Sequence, residues 1–351
     1  MTIDIKSIVI DKCGSATSIF DITRELSIVG AAESPNSGDV VVVKALGESA
    51  TYGNLELPNG RLARITLGDV LVGVLGTRRA LKGFVGDVPQ SIKAGDRLHL
   101  LNMGGVIGVC SGHHSSLSDA IEVEVIGIAC DKSGTVLNIA DGALVPAAYL
   151  ERSAPVIVIA GSCMNSGKTV AATEIIKQAN HRGLKVAGAK LSGVAALRDT
   201  LNMQDHGAFA TASFIDCGLP STANMDDLAP TAMAILNHLN SLKPDLIVAE
   251  LGDGIIGGYG VDTLLQDTEL KSCFSTFIFC ASDYVGVVGG MHVLRGFGID
   301  IDVVAGSVTD AKMGEDFINE NFDLKAGNAR RNGAGLFDLA YRPIEKLKLA
   351  E

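Results

Sequence analysis

The sequence predicts an α/β protein in two parts, a domain built on a parallel sheet and, before it, a small all-β, barrel-like domain. Beyond residue 155, apolar strands alternate with helices, which is the pattern of a parallel sheet covered on both faces. Before residue 145, short strands separated by glycine turns follow one another, which is typical of a small barrel or sandwich. The length of 351 residues has room for two domains.

The first half carries strand and hairpin signals throughout. An Asn59-Gly60 turn between two short apolar segments predicts a hairpin. In residues 121–126, apolar side chains alternate with Glu122 and Glu124, so that one face is apolar, as in a half-buried strand. Short apolar runs at 40–43, 70–75 and 98–101 predict further strands. We therefore assign residues 1–150 to the β domain.

The second half predicts strands at 156–160, 185–189, 246–250, 276–281 and 301–305, with helices at 169–178, 231–242 and 285–296. Residues 151–155 are interpreted as the linker that precedes them. This alternation defines an α/β domain over residues 151–325. Residues 326–351 are more polar and are interpreted as a C-terminal extension that opens with a flexible loop.

Composition excludes several classes of function. The net charge is −11 and no basic block occurs, which argues against a nucleic-acid partner. Apolar residues make up 47% of the chain, enough for a full core, but no apolar run is long enough to span a bilayer. The first residues do not have the pattern of a signal peptide. The seven cysteines are scattered and form no CxxC pair, so we expect a soluble protein of the reducing cytoplasm without a membrane partner.

The strongest functional signal lies between the strand at 156–160 and the helix after it. Gly161 and Gly167 bracket five residues, and Lys168-Thr169 follow at once. Backbone N–H groups of such a loop and the N-terminus of the next helix bind phosphate. Lys168 is then expected to reach the β- and γ-phosphates, and the Thr169 hydroxyl to hold Mg²⁺. The predicted nucleotide-binding residues are Gly161, Ser162, Met164, Asn165, Ser166, Gly167, Lys168, Thr169 and Val170.

Two later segments extend this pattern. Residues 186–193 end in Lys190-Leu191-Ser192-Gly193, and residues 245–254 contain Glu250 and Gly252. With the phosphate loop, these segments resemble the dethiobiotin synthetase-like family, in the SIMIBI class of P-loop NTPases. The resemblance covers about residues 155–310. Each motif lies at the C-terminal end of a predicted strand, which is where ligands bind in an open α/β sheet.

The resemblance implies roles for particular residues. Lys190 would act with Lys168 as a catalytic residue that neutralises charge on the transferred phosphoryl group. Glu250 would hold Mg²⁺ together with Thr169, and an acid beyond Lys190 would complete the metal shell. Asp205 is the nearer match for that acid and Asp199 the second. The substrate would lie near Lys190, Ser192, Arg198 and Gly252, with Arg198 suited to binding an anion.

The nucleotide base is expected beside residues 281–283 and 306–310, which end the late strands. Neither segment has the Asn-Lys-x-Asp sequence of guanine-specific GTPases, and this favours ATP as the cofactor, together with Mg²⁺. At Leu251 and Asp253 the sequence departs from the Glu-Gly-Ala-Gly-Gly segment of the resembled family. We therefore expect a different substrate from that of dethiobiotin synthetase.

Three hypotheses about function follow. In the first, the protein is an ATP-dependent enzyme, ligase-like or kinase-like, that activates a small carboxylate-type substrate by phosphoryl transfer. In the second, it is a nucleotide-switched SIMIBI adaptor or chaperone that acts on a protein partner. In the third, which ranks last, the β domain assembles rings and ATP drives movement. The resemblance also implies a homodimer or a higher homo-oligomer.

Overall fold

The computed structural model describes residues 4–49 and 51–350, which form two compact units. The first unit comprises the chain up to residue 144, and it also includes Val194–Arg198 and Phe214–Ala223. The second comprises Val145–Gly193, Asp199–Ser213 and the chain from Asn224 onward. The predicted domain boundary at residue 150 lies six residues after Leu144, where the long segment of the first unit ends. The two short later segments of the first unit lie inside the stretch that the sequence assigns to the α/β domain.

The described part of the first unit contains only short strands and short 3-10 helices. Its strands are β1 (Lys6–Val9), β2 (Lys12–Cys13), β3 (Glu25–Val29), β4 (Ala31–Ala32), β5 (Val40–Ala45), β6 (Asn54–Glu56), β7 (Leu62–Arg64), β8 (Val70–Leu75), β9 (Arg78–Arg79), β10 (Phe84–Asp87), β11 (Ile92–Lys93), β12 (Arg97–Leu100), β13 (Val106–His113) and β14 (Glu122–Ala129). The hairpin predicted at Asn59-Gly60 is present as the antiparallel pair β6–β7.

Five of these strands pair in a closed circuit, β14–β5–β8–β13–β12 and back to β14. Only β8 and β13 pair in parallel within that circuit. Alternate residues such as Val41, Val43, Val123 and Val125 are buried in a common apolar core. Since a closed circuit of strands leaves no free edge along it, the barrel-like prediction is confirmed.

Hydrogen bonds hold the two later segments within the first unit. Glu56, which is 1% exposed, accepts from the Leu197 backbone N–H at 2.7 Å and from the Ser15 hydroxyl. Asn102 Nδ2 donates to the Ala195 carbonyl at 2.7 Å. The Leu144 N–H donates to the Asp216 carbonyl at 2.7 Å. Buried polar groups with such partners avoid the cost of desolvation, so these contacts stabilise the docked segments.

The second unit is a seven-stranded parallel sheet with helices. Its strands, β15 (Val156–Gly161), β16 (Val186–Lys190), β17 (Ala210–Ser213), β18 (Leu246–Glu250), β19 (Phe274–Cys280), β20 (Val303–Ala305) and β21 (Lys325–Ala326), lie in the order β17-β16-β18-β15-β19-β20-β21. The helices are α1 (Lys168–His181), α2 (Arg198–Asp205), α3 (Ala229–Ser241), α4 (Val261–Gln266), α5 (Thr268–Cys273), α6 (Tyr284–Gly296), α7 (Lys312–Asn321) and α8 (Gly333–Ala350).

The central strand β15 is buried along its whole length, as its run of apolar residues predicts. Ile157 and Ile159 share a core with Ile175 and Ile176 of α1. Apolar residues of α8 spaced three or four apart, Leu336, Phe337, Ala340, Tyr341 and Ile344, pack into the same core. The parallel α/β architecture predicted for this half of the chain is therefore confirmed.

The residues assigned to a C-terminal extension are part of this sheet domain. β21 is the edge strand of the parallel sheet and pairs with β20. Asn328, in the segment expected to be a flexible loop, is 3% exposed and accepts hydrogen bonds from the backbone N–H groups of Arg330 and Arg331. The apolar residues of α8 pack this segment into the core of the second unit.

Two further findings bear on the expectations from composition. No helix within the described residues is long and apolar enough to cross a membrane. All seven cysteines are free thiols.

Candidate nucleotide site

The loop between β15 and α1 has the backbone geometry of a phosphate-binding turn. Asn165 and Gly167 both adopt positive φ, 63° and 103°, and α1 begins at the next residue. At Gly167 the positive φ favours glycine, and an added Cβ would also lie 2.9 Å from Gly306 Cα. The N-terminus of a 14-residue helix thus opens directly onto the loop. Of the nine residues predicted to bind nucleotide, Gly161 ends β15, five lie in this turn, and Lys168, Thr169 and Val170 begin α1.

Neighbouring strands hold the loop in place. The Ser162 N–H donates to the Cys280 carbonyl at the end of β19 at 2.9 Å. The Ser307 N–H donates to the Ser166 carbonyl at 3.1 Å. The Lys168 ammonium folds over the loop and donates to the Cys163 carbonyl at 2.8 Å. These bonds tie the loop backbone to the ends of the neighbouring strands and to Lys168.

Lys168 is a buried cation, only 5% exposed. Burial, followed by the positive charge of Lys190, lowers the pKa of Lys168 below its ordinary value. A phosphate group placed in the loop would supply the negative charge that a buried ammonium needs. The electrostatics of the loop therefore favour an anionic ligand.

Next to the loop, two strand ends carry a lysine and a glutamate side by side. Lys190 ends β16 and Glu250 ends β18, and the two residues are partners in the parallel register. Lys190 Nζ lies 2.7 Å from Glu250 Oε1 and 2.7 Å from Asp199 Oδ2. Thr169 Oγ1 donates to the same Glu250 Oε1 at 2.9 Å. The carboxyl ends of neighbouring strands thus bring Thr169, Lys190 and Glu250 together, as the sequence predicts.

Two of the charges in this cluster are deeply buried. Glu250 is 1% exposed and the Lys190 side chain 11% exposed, whereas the Asp199 side chain is 33% exposed. Burial alone would lower the pKa of Lys190, but the carboxylates of Asp199 and Glu250 raise it above the ordinary value. Lys190 is therefore a firmly protonated ammonium held by two carboxylates.

Two oxygens at this position fit magnesium. Glu250 Oε2 is buried and has no hydrogen-bond partner, one of three such side-chain atoms among the described residues. Mg²⁺ prefers hydroxyl and carboxylate oxygens and completes its shell with water and substrate phosphates. The Thr169 hydroxyl and the Glu250 carboxylate provide that donor set. The described residues contain no group of three or more His, Cys, Asp and Glu that could hold a metal without such further ligands.

The predicted third acid, Asp205, is not part of this cluster. Asp205 is exposed at the last residue of α2, whereas Asp199 near the start of the same helix contacts Lys190. The physical reason is that α2 begins beside Lys190, so Asp205, six residues after Asp199, lies at the other end of the helix. Asp199 therefore occupies the place beside Lys190 for which Asp205 is the nearer match in sequence, and a role for either acid at the metal stays a prediction.

The predicted substrate residues are differently placed. Ser192 Oγ is 3.2 Å from the Gly252 carbonyl and donates to it, so these two residues contact each other within the second unit. Arg198 is exposed and directly precedes Asp199, which contacts Lys190. The structure therefore brings Lys190, Ser192 and Gly252 together, and a substrate role for Arg198 stays a prediction.

The close approach at Gly252 gives a stability prediction. A Cβ at Gly252 would overlap the Ser192 carbonyl oxygen and lie 3.2 Å from Lys190 Cε. We expect Gly252→Ala to lower the free energy of unfolding by about 1–3 kcal/mol, the usual cost of overpacking. Gly289→Ala is the matched control, because a Cβ at Gly289 on the exposed side of α6 meets no atom within 4 Å. Urea denaturation checks both; equal stability of the two variants would contradict the close approach.

A pocket adjoins the phosphate loop on the side of the late strands. It is lined by the loop residues Asn165 and Gly167, by Val170, and by two later segments, namely Gly306, Ser307 and Asp310 after β20 and Asn328, Ala329 and Arg330 after β21. The sequence predicts residues 306–310 beside the base, but it does not point to Asn328. Asn328 Nδ2 donates to Asp310 Oδ1 at 2.9 Å and so orients that carboxylate. Asn328 follows the end of β21, in the same way that Ser307 and Asp310 follow the end of β20.

Comparison with known proteins leaves the family open. No protein-family model and no curated protein matches the chain. Solved structures similar to it include the signal recognition particle receptor FtsY from Elizabethkingia anophelis in complex with GDP, at 14% identity and a TM-score of 0.37, covering 57% of this chain and 68% of that one. The hydrogenase maturation factor HypB from Archaeoglobus fulgidus is 18% identical with a TM-score of 0.37, covering 54% of this chain and 90% of that one.

A third similar structure is the 54 kDa signal recognition particle protein from Aeropyrum pernix K1 in complex with GDP. It is 17% identical, with a TM-score of 0.36, and the match covers 56% of this chain and 50% of that one. Likenesses this distant do not assign a function. The interpretation of the site therefore depends on its own geometry.

Proposed function

We propose that this chain binds a magnesium–nucleoside triphosphate in its second unit, hydrolyses it, and acts as a nucleotide-switched adaptor for a protein partner. The observation that carries the proposal is the phosphate loop with Lys168 folded over it, next to Thr169 and Glu250. Phosphoryl transfer depends mainly on positioning and charge stabilisation. These residues supply both: the loop holds the phosphates, and Thr169 with Glu250 would hold the Mg²⁺ that neutralises them.

The adaptor hypothesis is favoured over the ligase hypothesis by the partners of the predicted substrate residues. A carboxylate substrate needs cationic groups that are free to bind it. Lys190 is held by two carboxylates, and the Ser192 hydroxyl donates to the Gly252 carbonyl. A switch instead needs a segment whose contacts depend on the nucleotide. The segment from Lys190 to Asp199 fits, since its two ends form an ion pair beside Thr169 and Glu250, the residues that would hold the magnesium.

Hydrolysis measured with and without small acids separates the two hypotheses. The purified protein is assayed for phosphate release with Mg²⁺ and either ATP or GTP, alone and with a panel of carboxylic acids. The switch proposal predicts slow hydrolysis that no acid stimulates. It also predicts that limited proteolysis differs between the diphosphate and a non-hydrolysable triphosphate. Stimulation by one acid of about tenfold or more would support the ligase hypothesis instead.

We propose guanine as the base, in place of the adenine that the missing Asn-Lys-x-Asp sequence favours. Asp310 lines the pocket beside the phosphate loop, and Asn328 orients its carboxylate. A carboxylate accepts hydrogen bonds from both the N1–H and the N2 amino group of guanine, whereas the corresponding edge of adenine offers one donor and one acceptor. This chemistry can discriminate between the two bases without the sequence motif.

Asp310→Asn tests the base assignment. An amide in place of the carboxylate presents a donor to guanine, so we expect the affinity for GDP to fall by at least about tenfold while the affinity for ADP does not fall. Calorimetric titration of both nucleotides checks this. Asp316→Asn on α7 is the control, because Asp316 is an exposed acid paired with Lys312. A preference for ADP in the unmodified protein would return the assignment to ATP.

The homo-oligomer implied by the family resemblance also stays a proposal. Sedimentation with and without Mg²⁺ and nucleotide tests it directly.

A further inference from the structure

One oxygen of the charged cluster has two partners. Glu250 Oε1 accepts from Thr169 Oγ1 at 2.9 Å and also from Lys190 Nζ at 2.7 Å. The same ammonium is 2.7 Å from Asp199 Oδ2. Lys190 Nζ therefore lies between two carboxylates, beside the hydroxyl that a phosphate loop offers to magnesium. Carboxylate and hydroxyl oxygens form the surroundings that a hard divalent cation prefers.

An ammonium and a magnesium ion cannot share this position. Both are cations, and at a separation of a few ångströms in a buried site they repel each other strongly. Lys190 also donates its hydrogen bonds to oxygens whose lone pairs the metal would need. The Thr169 hydroxyl contacts the same Glu250 oxygen as Lys190, while the other oxygen of that carboxylate, Oε2, has no hydrogen-bond partner. A metal bound to Thr169 therefore comes close to Lys190.

We propose that Lys190 is an internal cation that neutralises the carboxylates of the magnesium site, and that the magnesium of an incoming nucleotide displaces it. This inference rests on the proposed function and adds the step that couples nucleotide binding to a change in the protein. Displacement breaks both ion pairs of the Lys190 ammonium and so releases Asp199, near the start of α2.

Binding of Mn²⁺ alone to Lys190→Met tests the displacement without nucleotide. Methionine keeps the length of the side chain and removes the competing charge. Electron paramagnetic resonance of free Mn²⁺ gives the affinity. We expect Lys190→Met to bind Mn²⁺ at least about tenfold more tightly than the unmodified protein, because two carboxylates lose their internal cation. Equal or weaker binding would overturn the proposal.

Lys185→Met is the matched control for this experiment. Lys185 precedes the same strand, and its ammonium contacts the Leu242 carbonyl and the Phe209 ring, away from both acids. We expect its Mn²⁺ affinity to equal that of the unmodified protein. Thermal unfolding with and without Mn²⁺ accompanies each titration. Stabilisation by Mn²⁺ should be larger for Lys190→Met than for Lys185→Met, since the metal then replaces the missing ammonium.

Lysine labelling of the unmodified protein covers the case in which Lys190→Met does not fold. Acetic anhydride is applied without ligand and with Mg²⁺ plus GDP, and mass spectrometry follows each lysine. We expect the labelling of Lys190 to rise on adding Mg²⁺ and GDP, while that of Lys185 does not change. If GDP binds and the labelling of Lys190 stays the same or falls, the displacement is wrong but the nucleotide site stands. If no nucleotide binds, the proposed function itself fails, and Mn²⁺ binding still decides the role of Lys190.

Discussion

Lys168→Met is expected to lower the affinity for Mg²⁺–GDP by about 100-fold or more, because the phosphates lose a buried charge-assisted hydrogen-bond donor. Lys168 is 5% exposed, and its ammonium donates to the Cys163 carbonyl of the loop. Burial and the nearby Lys190 lower the pKa of Lys168, so its charged form would be favoured by further negative charge beside the ammonium. Phosphate would supply it.

Calorimetric titration with GDP measures this loss. Lys177→Met on the same helix is the control, since Lys177 is half-exposed and pairs with Glu174. Surface pairs of this kind contribute little, so the control should bind GDP normally. Binding by Lys168→Met within about threefold of the control would mean that the loop does not hold phosphate through this lysine.

Glu250→Gln is expected to reduce Mg²⁺-dependent hydrolysis by about 100-fold or more, a typical cost for removing one charge-stabilising group from an active site. Glutamine keeps the shape and can still accept from the Thr169 hydroxyl. The substitution removes the negative charge of the Glu250 carboxylate, which we propose as a magnesium ligand. The Oε2 atom of that carboxylate has no hydrogen-bond partner. The loss should appear as a higher Mg²⁺ requirement, with nucleotide affinity in the absence of metal nearly unchanged.

Rates measured across a range of Mg²⁺ concentrations check this prediction. Glu320→Gln, a change at an exposed position of α7, is the matched control. Thermal unfolding shows whether the substitution disturbs the Lys190 pairing as well. Undiminished hydrolysis by a folded Glu250→Gln protein would remove Glu250 from the magnesium site.

The sequence predicts the phosphate loop well because its chemistry is local. Gly161 to Thr169 are consecutive, and the strand before and the helix after them follow from short-range patterns. The contact between Lys190 and Glu250 also follows from the sequence. Both residues end buried parallel strands, and such ends meet at one edge of the sheet.

The parts that were wrong or missed depend on long-range contacts. Asp199 rather than Asp205 contacts Lys190, and the connection between Lys190 and Asp199 is held by a hydrogen bond from the Leu197 N–H to Glu56, 141 residues earlier in the chain. No local pattern reveals such a contact. The strand β21 has two residues and is preceded by polar sequence, so periodicity does not identify it. Asn328, which follows that strand, was missed for the same reason.

The other predictions depend on the binding of a magnesium–nucleotide to the second unit through the loop and Lys168. Calorimetric titration of the unmodified protein with GDP and ADP, each with Mg²⁺ and with a chelator, tests that binding directly. We expect one site per chain, a preference for GDP, tighter binding in the presence of Mg²⁺, and loss of binding in Lys168→Met. No binding of either nucleotide in the presence of Mg²⁺ would contradict this expectation.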